Sequence, residues 1–414
     1  MATMQSAAER RLLALGQQLL PSPAAGDADE KPKLAIICTV WYYLTHAQHE
    51  GDRFNHGWAM NGKWHQPEVE LVSIYVDQRD PEGTHGDDPN DPDGDYLGDL
   101  SYLREKEYPN ITVYDTIAEA LRCGGDSLAV DAVLIIGEVR IPHPLPHWHP
   151  TPPHPTPSHL LPTLMTLALR GGQHGDYETD EYQMTRWPRY EFFSEVVSVF
   201  KADGRCTPVF NDKHLSWDFD LAQEMVATSK QMGFPMMAGS GLSVTWRMPS
   251  LDLPYGAEVE ESLVIGGGWL DGGSFHMIEF TQCLLERRKG GESGVAWVEA
   301  IQGDAVLDVL ERGLSFDEGG FDADLFEAAL CRSQSLGQAR PGYSAAYPTL
   351  EEIKQLWGDP LCFRWQYTDG TKATMLFGGG LVGDYPFAAR LAGGEHFSTM
   401  CYLPPGPNVS AAPV

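Results

Sequence analysis

Four short stretches set ionisable side chains where chemistry could use them. In "PVFNDKH" an apolar run ends on Asn211, Asp212 and Lys213. A lysine at a strand end can settle negative charge developing on a substrate oxygen, and a neighbouring acid keeps it in register. In "GGGWLDGGSFHMIEF" His276 is a candidate general base, with a reference pKa of about 6.5, and Glu279 follows one helical turn later. "HAQH" places His46 and His49 three residues apart, a helical spacing for metal ligands. "HGDY" offers His174, Asp176 and Tyr177 for a substrate hydroxyl or carboxylate, with Arg53, Arg189 and Tyr190 as further anion contacts. Each has an ordinary alternative: a salt bridge for Lys213, a hydrogen-bonded interfacial residue for His276, solvent-facing helix positions for His46 and His49.

The elements that must carry these residues alternate between strand and helix. "LAIICTV", "VELVSIYVD", "ITVYD", "AVDAVLIIGE", "TPVFND" and "FPMMAGS" read as strands. Between them, "TIAEALRCG" is a helix with Thr116 and Glu119 forming a capping box, "PRYEFFSEVVSVFKADG" is stopped by Gly204, and "DFDLAQEMVATSKQMG" is a third helix. Such alternation predicts a doubly wound, mostly parallel α/β sheet that holds its ligands at the carboxyl ends of the strands. Past Ser240 the pattern becomes a strand, a glycine-rich turn and a long helix. "GVAWVEAIQGD", "LCFRWQYTDGTKATMLFGG" and "FSTMCYLPP" then read as antiparallel strands with a turn at Asp369-Gly370. The expected organisation is a flexible segment 1–30, an α/β domain 31–240 and an α+β domain 241–414 with a mostly antiparallel open sheet.

On these motifs the chain resembles the Gfo/Idh/MocA oxidoreductase family. Asp212 and Lys213 match the acid and lysine of its strand–Glu-Lys-Pro–helix element, with His214 in place of the proline. "DGGSFHMIE" resembles its Asp-x-Gly-x-His-x-x-Asp segment. There His276 is the catalytic histidine and Glu279 stands for the following acid, while Asp271 lies one residue too far upstream. The resemblance covers most of the chain from Leu34 onward. It implies a Rossmann-like domain followed by a second domain whose open sheet can serve a homo-oligomer. It also implies NAD- or NADP-dependent oxidation of a hydroxyl on a sugar or polyol, with Lys213 and His276 catalytic. Thr39, Asp77 and Asp212 become cofactor contacts, and His46, His174, Asp176, Tyr177, Asn211 and Glu279 substrate contacts.

One stretch departs from that pattern. A dinucleotide fingerprint needs glycines for its tight turn and for close approach of the pyrophosphate. In "KLAIICTVWYYLTHAQH" those slots fall on Cys38, Val40 and Tyr43. The crevice is therefore expected to be too narrow for a diphosphate in its usual pose, yet concave above Lys213. Three readings stay open: a sugar or polyol oxidoreductase; a lyase, isomerase or hydrolase using a divalent metal or histidine acid–base chemistry; and a non-catalytic small-molecule binder.

Composition narrows the partners. With 58 Asp+Glu against 29 Lys+Arg the net charge is −29, which disfavours nucleic acid and anionic membranes. Seven scattered cysteines without a CxxC argue for a reducing compartment, and no apolar run is long enough to span a bilayer. The cytoplasm is the expected location, with an organelle-targeting role for residues 1–30 the alternative. Asp91, Asp93 and Asp95 lie in an acidic loop that lacks the glycine and closing Glu of a calcium loop. Residues 139–173 hold nine of the 30 prolines and five of the 14 histidines, with no Asp, Glu or Lys. They read as a disordered excursion without function, and as a retained intron whose excision would join Glu138 to His174.

Overall fold

In a computed structural model the described residues are 31–41, 45–60, 62–79, 100–137, 177–181, 184–268, 270–337 and 347–402. The expectations for the N-terminal segment, the acidic loop, the Pro/His-rich segment, Tyr43, His174 and Asp176 lie outside them.

Six strands form the parallel sheet: β1 (Lys33–Cys38), β4 (Glu70–Val76), β5 (Thr112–Tyr114), β6 (Ala132–Ile136), β7 (Val209–Asp212) and β8 (Met236–Gly239). Their order is β5-β4-β1-β6-β7-β8, and every pairing is parallel. Chain order therefore reverses beside β1, which creates the crevice where doubly wound sheets bind ligands. The run Leu34–Cys38 is buried throughout, as a central parallel strand covered on both faces must be. The small hairpin β2 (Trp58–Met60) and β3 (Lys63–His65) stands apart from this sheet.

Helices close both faces. Against one face pack α3 (Ile117–Arg122) and α4 (Arg189–Asp203), through Ile117, Leu121, Phe192, Val196 and Phe200. Thr116 caps α3 by accepting from Glu119 N–H at 3.1 Å, and α4 ends on Gly204 at φ 64°, the left-handed stop that glycine supplies. Against the other face lies α1 (His46–His56), through Ala47. The helices α2 (Ser101–Glu107) and α5 (Phe219–Met232) complete this half.

The second sheet has seven strands in the order β11-β12-β13-β10-β14-β15-β9. These are β9 (Trp246–Met248), β10 (Val259–Gly266), β11 (Val295–Gln302), β12 (Gly358–Tyr367), β13 (Lys372–Gly379), β14 (Tyr385–Leu391) and β15 (His396–Tyr402). Only β10 and β13 pair in parallel; the other five pairings are antiparallel. One face carries α6 (Leu270–Leu285) through Met277, Phe280 and Leu284. The other carries α7 (Asp304–Arg312), α8 (Ala323–Leu330) and α9 (Leu350–Leu356) through Val306, Leu325, Phe326 and Ile353. The edge strand β11 keeps Val295, Trp297 and Val298 exposed. No described helix is long and apolar enough to cross a membrane.

Candidate functional site

The ends of β7 and β8 build the site. Strand β7 finishes on Asn211 and Asp212, and Lys213 turns out of it at φ 64°, a left-handed conformation that costs a side-chain-bearing residue energy. The turn is pinned from two sides. Lys213 N–H donates to Gly239 O at 3.0 Å, and the Asn211 amide donates to His214 O at 3.0 Å. Asn211 is fully enclosed, and its amide N–H group shapes the turn. Lys213 and Asp212 are 5% and 2% exposed, which makes their charges costly unless paired.

His46 supplies that pairing from the first residue of α1. Its Nδ1 donates to Asp212 Oδ2 at 2.8 Å, and Lys213 Nζ lies 3.1 Å from both ring nitrogens and 3.5 Å from Asp212 Oδ2. Burial alone would raise the Asp212 pKa; the charges of His46 and Lys213 reverse this and hold the carboxyl well below its usual range. Glu50, one turn along α1, completes a group with His46 and Asp212 whose ligand atoms all lie within 4.8 Å of one another. His49, the other half of the sequence pair, is not in this group.

From the other sheet, α6 brings His276. Its Nδ1 meets Ser240 Oγ at 2.6 Å, so Nε2 is the nitrogen left for a substrate. Ser240 directly follows Gly239, the residue that pins Lys213. Glu279, one turn on, accepts from Ser240 N–H at 3.2 Å, and burial pushes its carboxyl pKa upward. Gly239 sits at φ 147°, and a Cβ there would lie 2.8 Å from Glu279 Oε2, so the lid of this turn requires glycine. Burial first, then the fields of Lys213 and His46, push His276 down to about 3. A neutral imidazole and a lysine therefore share one region, each supplied by a different sheet.

Both departures from the family pattern meet beside them. His214 Nε2 donates to Asp271 Oδ1 at 3.1 Å, Trp187 Nε1 donates to Asp271 Oδ2 at 3.0 Å, and the buried Arg189 reaches the His214 ring at 3.0 Å. The histidine in the proline slot and the acid one residue upstream thus bond to each other and tie α6 to the end of β7. Nothing in the sequence pattern joins Trp187, Ser240 or Glu50 to the site; the only cue for Ser240 was its place after a strand.

The cofactor contacts fare differently. Cys38, Val40 and Trp41 are at most 1% exposed, and Cys38 and Trp41 belong to the core between the sheet and α1. A Cβ on Gly51 of α1 would lie 2.2 Å from the Trp41 ring, so indole and helix touch where a phosphate turn would need room. Thr39 is buried, its N–H donating to Ile136 O and its carbonyl accepting from Gln78 N–H. Asp77 accepts from Tyr177 Oη at 2.7 Å and from Tyr75 Oη at 3.0 Å, so each carboxylate oxygen that could hold a ribose already carries one phenol. Tyr177 accordingly bonds to Asp77, and its ring packs edge-on against Trp187, 5.2 Å between centroids. These residues do not fit a nicotinamide dinucleotide in the pose that the glycine fingerprint gives it. A groove of about 390 Å³, lined by Lys31, Phe54, Glu70, Tyr108 and Asn110 among others, lies at the opposite ends of the parallel strands and shares none of this chemistry.

No protein-family model matches the chain, and no curated protein matches it in sequence. Among solved structures it is similar to GenD2 from gentamicin A biosynthesis in complex with NAD, at 12% identity and a TM-score of 0.44, over 92% of this chain and 76% of that one. It is also similar to myo-inositol 2-dehydrogenase from Lactobacillus plantarum, at 13% identity and a TM-score of 0.39, over 89% and 76%. A third is biliverdin reductase from Synechocystis sp. PCC 6803 in complex with biliverdin and NADP+, at 10% identity and a TM-score of 0.40, over 89% and 79%. The fold assignment rests on the strand order itself.

Proposed function

We propose that this chain is an enzyme acting at a hydroxyl-bearing carbon of a sugar, polyol or related small molecule, with Lys213 and His276 handling the proton. The observation that carries the proposal is the junction at Gly239-Ser240, where one residue fixes the Lys213 backbone and the next holds the His276 ring. A neutral His276 can accept the hydroxyl proton on Nε2, but burial makes it a weak base, so the Lys213 ammonium must carry most of the step by stabilising the oxygen as it becomes an alkoxide. Asp212 and His46 keep the lysine aimed, and the His214–Asp271 bond keeps α6 in register with β7.

The first reading of this chemistry is oxidation or reduction of the sugar-dehydrogenase kind. A second, a cofactor-independent isomerase or lyase, is favoured by one observation: Val40 and Trp41 fill the phosphate turn. One experiment separates them. Polyols, aldoses and ketoses are incubated with the protein, with NAD or NADP followed at 340 nm, and separately in deuterated water without cofactor followed by NMR. Absorbance change supports the first reading, and deuterium uptake at carbon supports the second. Either activity should fall at least about 100-fold in Lys213→Met and in His276→Asn. Activity that survives both substitutions, or no turnover of any compound, overturns the proposal.

A further inference from the structure

We propose that His46, Glu50 and Asp212 form a binding site for a divalent transition-metal ion, whose place the Lys213 ammonium holds in the metal-free chain. His46 and Glu50 stand at i and i+4 of α1, one above the other on the same helix face. Asp212 reaches them from the end of β7 with its side chain only 3% exposed. The three ligand atoms lie within 4.8 Å of one another, close enough for one ion to gather with small rotamer changes. With the imidazole neutral, the one histidine and two carboxylates carry a charge of −2, half of which the Lys213 ammonium offsets in the metal-free chain and all of which a dication would cancel. A mixed nitrogen and oxygen set suits Mn²⁺, Fe²⁺ or Zn²⁺ better than the all-oxygen shells of Ca²⁺.

The second observation is the cation already seated there. Lys213 Nζ sits 3.1 Å from the His46 ring nitrogens and 3.5 Å from Asp212 Oδ2, two of the three proposed donors. The cluster is therefore arranged to neutralise positive charge, and an ammonium and a metal ion compete for the same position. His46, with its side chain 33% exposed, gives the ion a path from solvent. Arg53, next along α1, is a further cation in the field of Glu50. A bound ion would act as a Lewis acid on a substrate oxygen, with His276 at hand for the proton. The site shares Asp212 and Lys213 with the proposed reaction but does not depend on it.

The test loads chelator-stripped full-length protein with Co²⁺, Mn²⁺ or Zn²⁺. Stoichiometry is read by elemental analysis, affinity by calorimetry and coordination by the visible spectrum of Co²⁺. One ion per chain is expected, at least about ten-fold weaker in His46→Gln and Glu50→Gln, which are partly exposed and should fold. Lys213→Met should bind at least as tightly as the parent, because the competing cation is gone. A variant with His143, His147, His149, His154 and His159 changed to Asn separates this site from the histidine-rich segment. Binding lost in that variant but kept in His46→Gln and Glu50→Gln overturns the proposal, as does absence of binding in both the parent and Lys213→Met. Turnover in chelator without metal binding defeats this site alone; metal binding without turnover of any compound defeats the reaction alone.

Discussion

The carboxyl ends of β1 and β7 belong to the same parallel sheet, one strand apart, and have opposite characters. Beyond β1 the chain runs into Val40 and Trp41, both closed off from solvent, with the indole pressed on Gly51. Strand β7 ends on Asp212 and runs into Lys213 and His214, all charged or polar, with Lys213 in a backbone conformation its side chain disfavours. The first end is core and adds stability by burial. The second spends stability on buried charge and a strained turn, which functional sites tolerate and cores do not. The same position in a fold can thus become either; the side chains decide.

The largest effects should come from breaking each end. Trp41→Ala leaves a cavity between β1 and α1 and should cost about 3–5 kcal/mol in denaturant unfolding. It should not confer nicotinamide binding, because Val40 still fills the turn. A cost under about 1 kcal/mol would mean that this end is not core. Asp212→Asn should cost about 3 kcal/mol, because Lys213 loses its counter-charge inside the protein. Lys213→Met should cost less, since Asp212 keeps the His46 bond and an apolar chain fits an enclosed place. Equal costs for the two variants would show that the pair is not organised around Asp212.

An intermediate effect is expected from pH. The folded chain holds His276 at about 3, while the unfolded chain takes up its proton near 6.5. Between those values the unfolded state binds more protons, so stability should fall as pH drops from about 6.5 towards 3. Asp212, depressed in the folded state, loses its contribution in the acid range below the ordinary aspartate value. His276→Asn should flatten the upper part of that decline. A stability curve unchanged by this variant between pH 6 and 4 would show that the fold does not hold the His276 pKa below its ordinary value.

Much of this was legible in sequence, for identifiable reasons. Strand and helix alternation gave the parallel sheet because central strands must be apolar on both faces, as Leu34–Cys38 is. The strands around Asp369-Gly370 were readable from alternation and a turn dipeptide. Lys213 and His276 were found because residue types at strand and helix ends are visible one at a time. The neighbouring acid Asp212 is legible as a partner of Lys213, but the His46 contact is not, since His46 lies 167 residues away and only the folded sheet brings it within 3.1 Å. The sequence points to His46 and His49 as a pair, but residues three and four apart share a helix face equally well, and it is Glu50 that stands near His46 and Asp212. The helices α7 to α9 are hard to read from sequence because short amphipathic stretches between glycines resemble loops.

The smallest effect tests whether Asp77 belongs with the filled end or the polar one. Its two oxygens accept from Tyr177 and Tyr75, and Asp77 itself is exposed, so removing one phenol should change stability by no more than about 1 kcal/mol. Tyr177→Phe frees one carboxylate oxygen, the group a ribose hydroxyl would need. If tyrosine occupancy alone kept a dinucleotide out, this variant would quench tryptophan fluorescence on titration with NADH, with a saturating curve. If the obstacle is the apolar filling at Val40 and Trp41, freeing Asp77 changes nothing, because a diphosphate must pass through the β1 turn before its ribose can reach β4. The second outcome is expected. A saturating NADH curve in Tyr177→Phe that the parent lacks would show that the β1 end is a latent binding site and not merely core.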